Sequence, residues 1–174
     1  MAKERKGAVT FKGNPLTAIG SELKVGDKAP DFKLLANDLS EVTLASFKGK
    51  TKLISVVPSL DTPICDAQTK RFNQEASAFP GDIVVLTVSA DLPFAQKRWC
   101  GAAGATKVQT LSDHREVSFA EAYGVLVKEL RLLSRSIFIV GPDDRIQYLE
   151  YVKEIAEHPS YDKALAALKT GAKR

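Results

Sequence analysis

With 174 residues, the chain has room for a single domain over residues 1–174 with one substantial core, since chains of this size bury roughly 70% of their unfolded surface. Hydrophobic residues at 44% and charged residues at 26% exclude a disordered chain outside the termini. The absence of any apolar run near ~18 residues, with a start, MAKERKGAVTFKG, that lacks an apolar signal segment, argues against a membrane span and leads to the expectation of a cytoplasmic protein.

The net charge of +4 draws on MAKERK at one end and KTGAKR at the other. Solvated ends account for it better than a nucleic-acid surface. From the first end, AVTFKGNPLTAIG predicts a short hairpin turning at Gly13 and Asn14, and VGDKAPDFKLLANDLSEVTLASFKGK predicts loop with a short strand. KLISVVP (52–58) and DIVVLTVSA (82–90) barely alternate and read as buried strands. CDAQTKRFNQEASAF, LPFAQKRWCGAAG and EVSFAEAYG have helical composition. RSIFIVG (135–141) and RIQYLEYV (145–152) are further strands, and the turn signal GPDD between them predicts an antiparallel hairpin. YDKALAALKTG closes the chain as an amphipathic helix ending near Gly171. This order predicts an α/β fold with a mixed central sheet flanked by helices and an N-terminal β-hairpin extension. It resembles the order of thioredoxin-like folds.

Two cysteines in a reducing compartment are not a disulfide framework, so each is either a core thiol or chemistry. Cys65 stands in SLDTPICDAQTKRF. Thr62 is a good N-cap and Pro63 suits the first helical position, which makes Cys65 the third residue of a helix. Its sulfur then lies beside backbone N–H groups whose partial positive charge favours a thiolate. Asp66 opposes this, so a positive group from elsewhere is needed. The residues alone leave two readings open: a small apolar residue at a strand-to-helix corner, or a nucleophile at the carboxyl end of a parallel strand, where open α/β sheets place ligands.

The pattern PxxxTxxC, filled by Pro58, Thr62 and Cys65, resembles the active-site motif of the peroxiredoxins, as does VGDKAPDFKLL at 25–35. SLDTPIC together with RWCGAAG and LLSRSIFIV is similar to the bacterial thiol peroxidase branch, whose members are atypical two-cysteine peroxiredoxins. The resemblance covers nearly the whole chain. It implies that Cys65 attacks a hydroperoxide, with Thr62 and Arg135 stabilising the thiolate and the leaving oxygen and Pro58 shielding the site. By strand alternation Arg135 shares a face with Ile137 and Ile139; without the resemblance it would read as a charge at a strand edge. Cys100, which on its own reads as packing beside Trp99, is by resemblance the resolving thiol that forms an intrachain disulfide with Cys65. Its helix is expected to stop at Gly101 or Gly104, and Trp99 departs from the family's usual Phe. The resemblance further implies thioredoxin as reductant, a homodimer, and no bound cofactor. Leu60, Ile64 and Phe94 are apolar residues near the motif and point to organic hydroperoxides.

Competing functions fit less well. A disulfide reductase needs CxxC at the helix start, and none occurs; Cys65, Cys100, His114 and His158 lack metal-ligand spacing and the two histidines read as surface residues; no phosphate loop or dinucleotide fingerprint is present. A redox sensor or holdase using the same cysteines without turnover is the alternative that these residues leave open.

Overall fold

The structure, a computed structural model, describes residues 2–172. Its main sheet contains β3 (Leu34–Leu35), β4 (Glu41–Val42), β5 (Thr51–Val56), β6 (Ile83–Ser89), β7 (Gln109–Ser112), β10 (Ser136–Val140) and β11 (Ile146–Tyr151), in the order β11-β10-β5-β6-β7-β3-β4. The β5–β6 and β6–β7 pairs are parallel, whereas β10 runs antiparallel to both β5 and β11. The mixed sheet and the hairpin at 141–144 follow the expectation from sequence. β7 was not foreseen, because QTLS is a short polar run with no alternation of its own.

Every residue of β5 is buried, as its unbroken apolar pattern suggests for a strand covered on both faces. Even Lys52 is fully buried; its ammonium meets Asp144 Oδ1 at 2.5 Å. Ile54, Val56, Leu86, Val88 and Phe138 pack on one face, against Phe119 and Tyr123 of the short α3 (Ser118–Ala122) and the turn after it. Leu53, Val85, Ile137 and Ile139 pack on the other, against Phe72 of α1 (Pro63–Ala76) and Ala164 and Leu168 of α4 (Tyr161–Ala172), with Trp99 and Ala103 of α2 (Pro93–Ala103) at the margin. α2 runs through Gly101 and ends at Gly104, which adopts φ 64°. Among the described residues no helix is long and apolar enough to cross a membrane.

The N-terminal hairpin is more than an appendage. Its strands β1 (Glu4–Phe11) and β2 (Asn14–Ile19) join β8 (Leu126–Val127) and β9 (Leu132–Leu133) in a second sheet of order β1-β2-β8-β9. The two-residue strands β8 and β9 carry too little periodicity to be seen in the sequence. The second sheet is seated through Gly20 and Gly124, which have φ of +100° and +72°. A Cβ on Gly20 would stand 2.2 Å from the Glu121 carbonyl oxygen, and one on Gly124 would stand 2.5 Å from that of Ser21. Arg5 bridges the same two backbones, donating from Nε to Gly20 O at 2.7 Å and from Nη2 to Gly124 O.

Gly20→Ala is therefore expected to destabilise the protein by at least about 2 kcal/mol, combining an unfavourable φ with a backbone collision. Gly81→Ala, where an added Cβ meets nothing within 4 Å, is expected to stay within about 0.5 kcal/mol. Urea denaturation midpoints at constant m-value check both.

Candidate active site

Sheet register assembles the site. In the β5–β10 pair Ser136 stands opposite Val56, the last residue of β5. Arg135, one residue earlier, is thereby carried past the carboxyl end of β5, where the chain turns through Pro58 into α1. Val57 continues the parallel ladder by donating to Val88 O at 3.0 Å. Leu60 N–H and the Ser59 hydroxyl are then tied to the carboxylate of Asp91 at 2.8 and 2.7 Å. This fixes the turn that delivers Cys65.

α1 opens with Thr62 at the N-cap and Pro63 as its first residue, so Cys65 is the third. Its first backbone bond runs from Asp66 N–H to Thr62 O at 2.9 Å, which leaves the N–H groups of Ile64 and Cys65 without an intrahelical acceptor. The Thr62 side chain does not cap the helix as its residue type suggested. Its hydroxyl donates instead to Ser59 O at 3.0 Å, leaving its oxygen lone pairs open as acceptors.

Cys65 is fully buried and packs with Val57, Leu60 and Trp99. Arg135 is also buried, 2% exposed. Its Nη2 donates to Cys65 Sγ at 3.3 Å and to Ile155 O at 2.9 Å, its Nε donates to the same carbonyl at 3.0 Å, and its Nη1 donates to Gln68 Oε1 at 2.8 Å. Gln68 is held in turn by its own donation to Ser55 Oγ at 2.7 Å. A guanidinium has five N–H donors, so these four bonds leave one on Nη1 without a partner among the described residues. No carboxylate lies within 4.0 Å of Arg135 among the ion pairs of those residues. A buried cation without a carboxylate is costly to desolvate, and the Cys65 sulfur is the one ionisable side-chain atom among its hydrogen-bond partners.

Gln68 and the Ile155 carbonyl were not found from sequence. A backbone acceptor leaves no residue signature. Gln68 did leave one: Cys65, Gln68, Thr69 and Phe72 are the buried residues of α1, a helical stripe at i, i+3, i+4, i+7 in which a buried amide demands a polar partner.

A cleft of about 400 Å³ opens over this cluster. Pro58, Thr62 and Arg135 line it, together with Pro63 and Ile64 from the start of α1. Phe11, Leu130, Leu132 and Ile155 form the rest of its wall with Ala156. Phe11 and Leu130 are 37% and 40% exposed and stand at the mouth, with buried Pro58 and Arg135 at the base. Of the apolar residues expected near the site, only Ile64 lines the cleft. Leu60 is buried in the Cys65 cluster, and Phe94 is 64% exposed elsewhere on α2.

Asp66 does not stand as an unpaired charge beside Cys65. It accepts from Trp99 Nε1 at 2.8 Å and pairs with Lys70 at 2.9 Å. Trp99 thus lies across the first turn of α1, while its neighbour Cys100 is partly buried with Sγ 3.5 Å from Thr110 Oγ1. Both cysteines are free. His114 is partly buried and His158 exposed, the latter hydrogen-bonded through Nδ1 to Tyr161 Oη at 2.7 Å. Among the described residues no group of three or more His, Cys, Asp or Glu side chains could hold a metal ion.

Comparison with known proteins places the chain in a family. The redoxin family model matches residues 24–165. The chain is 60% identical to the thiol peroxidase of Halalkalibacterium halodurans over 162 residues, 93% of this chain and 97% of that one. It is 58% identical to the thiol peroxidase of Bacillus subtilis over 161 residues, 92% and 96% of the two chains. Among solved structures, a peroxiredoxin-like protein from Aquifex aeolicus superposes with a TM-score of 0.88 at 39% identity, covering 96% of this chain and 98% of that one. A thiol peroxidase from Chromobacterium violaceum shares the fold, with a TM-score of 0.84 at 22% identity over 95% and 97% of the chains. The thioredoxin-like architecture, the motif around Cys65 and these likenesses agree, and the chain belongs to the redoxin family, among its thiol peroxidases.

Proposed function

We propose that this protein reduces organic hydroperoxides and hydrogen peroxide in a reducing cytoplasm, acting as one domain with Cys65 as nucleophile and Cys100 as resolving thiol. The observation that carries the reading is the Arg135 guanidinium, 3.3 Å from Cys65 Sγ and at the base of an apolar cleft. The guanidinium puts a permanent positive charge and an N–H donor beside the sulfur, the surroundings that the attacking thiolate form requires.

In the first step the sulfur attacks the nearer peroxide oxygen and the O–O bond breaks. Cys65 becomes a sulfenic acid, and the other oxygen leaves as alkoxide or hydroxide and takes a proton from water. The negative charge moves from sulfur to the leaving oxygen, within reach of the same guanidinium and its unpartnered N–H, in the manner of an oxyanion hole. Thr62, with its proton committed to Ser59 O, offers an acceptor that orients the peroxide O–H. Pro58 closes the base of the cleft and keeps water from the sulfur. Cys65 itself is fully buried and does not line the cleft, whose wall nearest to it is formed by Thr62, Pro58 and Arg135.

In the second step Cys100 gives up its thiol proton and attacks the sulfenic sulfur, the S–O bond breaks, and the leaving hydroxide takes that proton to become water as the disulfide forms. A sulfur–sulfur bond of about 2.05 Å requires the shell of Val57, Leu60 and Trp99 around Cys65 to open. Trp99, which belongs to that shell and is tied to Asp66 across the first turn of α1, moves with it, and Cys100 leaves Thr110. A dithiol protein, thioredoxin by the family's example, then reduces the disulfide by thiol exchange. The family's homodimer extends to this chain as part of the same proposal, checked by light scattering. The apolar cleft wall favours organic hydroperoxides over hydrogen peroxide.

In an assay coupling NADPH consumption to thioredoxin reductase, thioredoxin and cumene hydroperoxide, the wild-type protein is expected to turn over and Cys65→Ser to be inactive. Cys100→Ser is expected to consume one equivalent of peroxide and stop. Stoichiometric oxidation of the wild type without cycling would contradict the enzyme reading. Because Trp99 is the single tryptophan, its emission is also expected to change on adding one equivalent of peroxide, to return on adding dithiothreitol, and to stay constant in Cys65→Ser.

A further inference from the structure

Glu154 lies outside the cleft wall, yet its carboxylate collects four hydrogen bonds. Oε2 accepts from the Thr10 hydroxyl at 2.7 Å and from Gly13 N–H at 3.1 Å, and Oε1 accepts from Lys12 N–H at 2.9 Å and Ala156 N–H at 3.1 Å. Three of these donors belong to the β1–β2 hairpin, Thr10 at the end of β1 and Lys12 and Gly13 in the turn, and the fourth to the segment after β11. The backbones are joined at the same place, Thr10 donating to Lys153 O at 2.7 Å and Ile155 to Thr10 O at 2.9 Å. The Thr10 hydroxyl first, and then the N–H groups, hold the Glu154 carboxyl down at about 2, so the clamp stays charged at neutral pH and would be lost only as pH falls toward that value.

The residues on either side of this clamp form part of the cleft. Phe11, next to Thr10, is at its mouth, and Ile155 and Ala156, next to Glu154, line its wall. The segment also faces inward, since Ile155 O takes two of the Arg135 donations. One short stretch therefore sets the guanidinium on one side and the hairpin tip on the other. Without the carboxylate the turn at Lys12 and Gly13 loses its own bonds to the segment after β11, and Phe11 is held against the cleft less directly, through the Thr10 backbone bonds and the packing of Val9 on Ile155.

We propose that Glu154 is a positioning residue for substrate selection, clamping the hairpin turn so that Phe11 forms the outer lip of the cleft against the organic part of a hydroperoxide. The proposal rests on the reading that hydroperoxides enter by this cleft. Hydrogen peroxide has no organic part to meet the lip, so the ratio of second-order rate constants for cumene hydroperoxide and hydrogen peroxide isolates it. Losing one apolar contact of this kind costs about tenfold in discrimination.

The test measures that ratio for the reduced full-length protein, wild type against Glu154→Ala, Glu154→Gln and Phe11→Ala. Glu154→Ala and Phe11→Ala are each expected to lower it about tenfold, chiefly through KM for cumene hydroperoxide. Glu154→Gln, which keeps one acceptor oxygen, is expected to fall between them and the wild type. An unchanged ratio in Phe11→Ala or in folded Glu154 variants overturns the proposal. So does a parallel fall for both peroxides, which would mean that Glu154 acts only through Arg135. Wild-type protein inert toward both peroxides would overturn the peroxidase reading as well, which an active protein with an unchanged ratio would not.

Discussion

A buried guanidinium facing a buried sulfur is the interaction on which the rest of this structure depends. Arg135 has no carboxylate within ion-pairing distance among the described residues, and four of its five donors are spent on a carbonyl, an amide and Cys65 Sγ. Desolvating a cation in this way is costly unless an opposite charge completes the site. An anionic sulfur would supply that charge, so the proposed reactivity of Cys65 and the burial of Arg135 meet at one contact. Arginine suits the position better than lysine because its planar fork holds Ile155 O, Gln68 and the sulfur at fixed angles at once.

The fold serves that contact by register. Antiparallel pairing of β10 with β5 sets Ser136 against Val56, and the strand–turn–helix from β5 to α1 brings Cys65 to the same edge. Slipping the pairing by one residue would turn the Arg135 side chain to the opposite face of the sheet. The apolar rows on both faces of β5 and β10 resist such a slip, with Leu53, Ile137 and Ile139 on one side and Ile54, Val56 and Phe138 on the other. The second sheet then supplies the cleft's outer wall, which β5 and α1 alone do not provide.

Much of this was readable from residues. β5, β6, β10 and β11 announced themselves as long apolar runs, the position of Cys65 followed from Thr62 and Pro63, and alternation correctly put Arg135 on the face of Ile137 and Ile139. What stayed hidden depends on distant parts of the chain meeting. The Ile155 carbonyl reaches Arg135 from 20 residues along the chain, and the clamp at Glu154 and the arrival of Phe11 beside Arg135 join segments more than a hundred residues apart. Local preference also misled at three places. Thr62 has the right residue type for a side-chain cap but turns its hydroxyl to Ser59 O, while Leu60 and Phe94 are close to the cysteines in sequence without facing the cleft. Asp66 read as an opposing charge because its partners Trp99 and Lys70 could not be assigned without the structure.

The most direct test is the single-turnover rate of Cys65 with a hydroperoxide in a Cys100→Ser background, comparing Arg135 with Arg135→Gln and Arg135→Lys in variants shown by thermal melting to be folded. Loss of a guanidinium that stabilises both the attacking sulfur and the leaving oxygen predicts a fall of about 100-fold or more for Gln, with Lys between Gln and the wild type. Rates within about threefold of one another, less than 1 kcal/mol of barrier, would contradict the account.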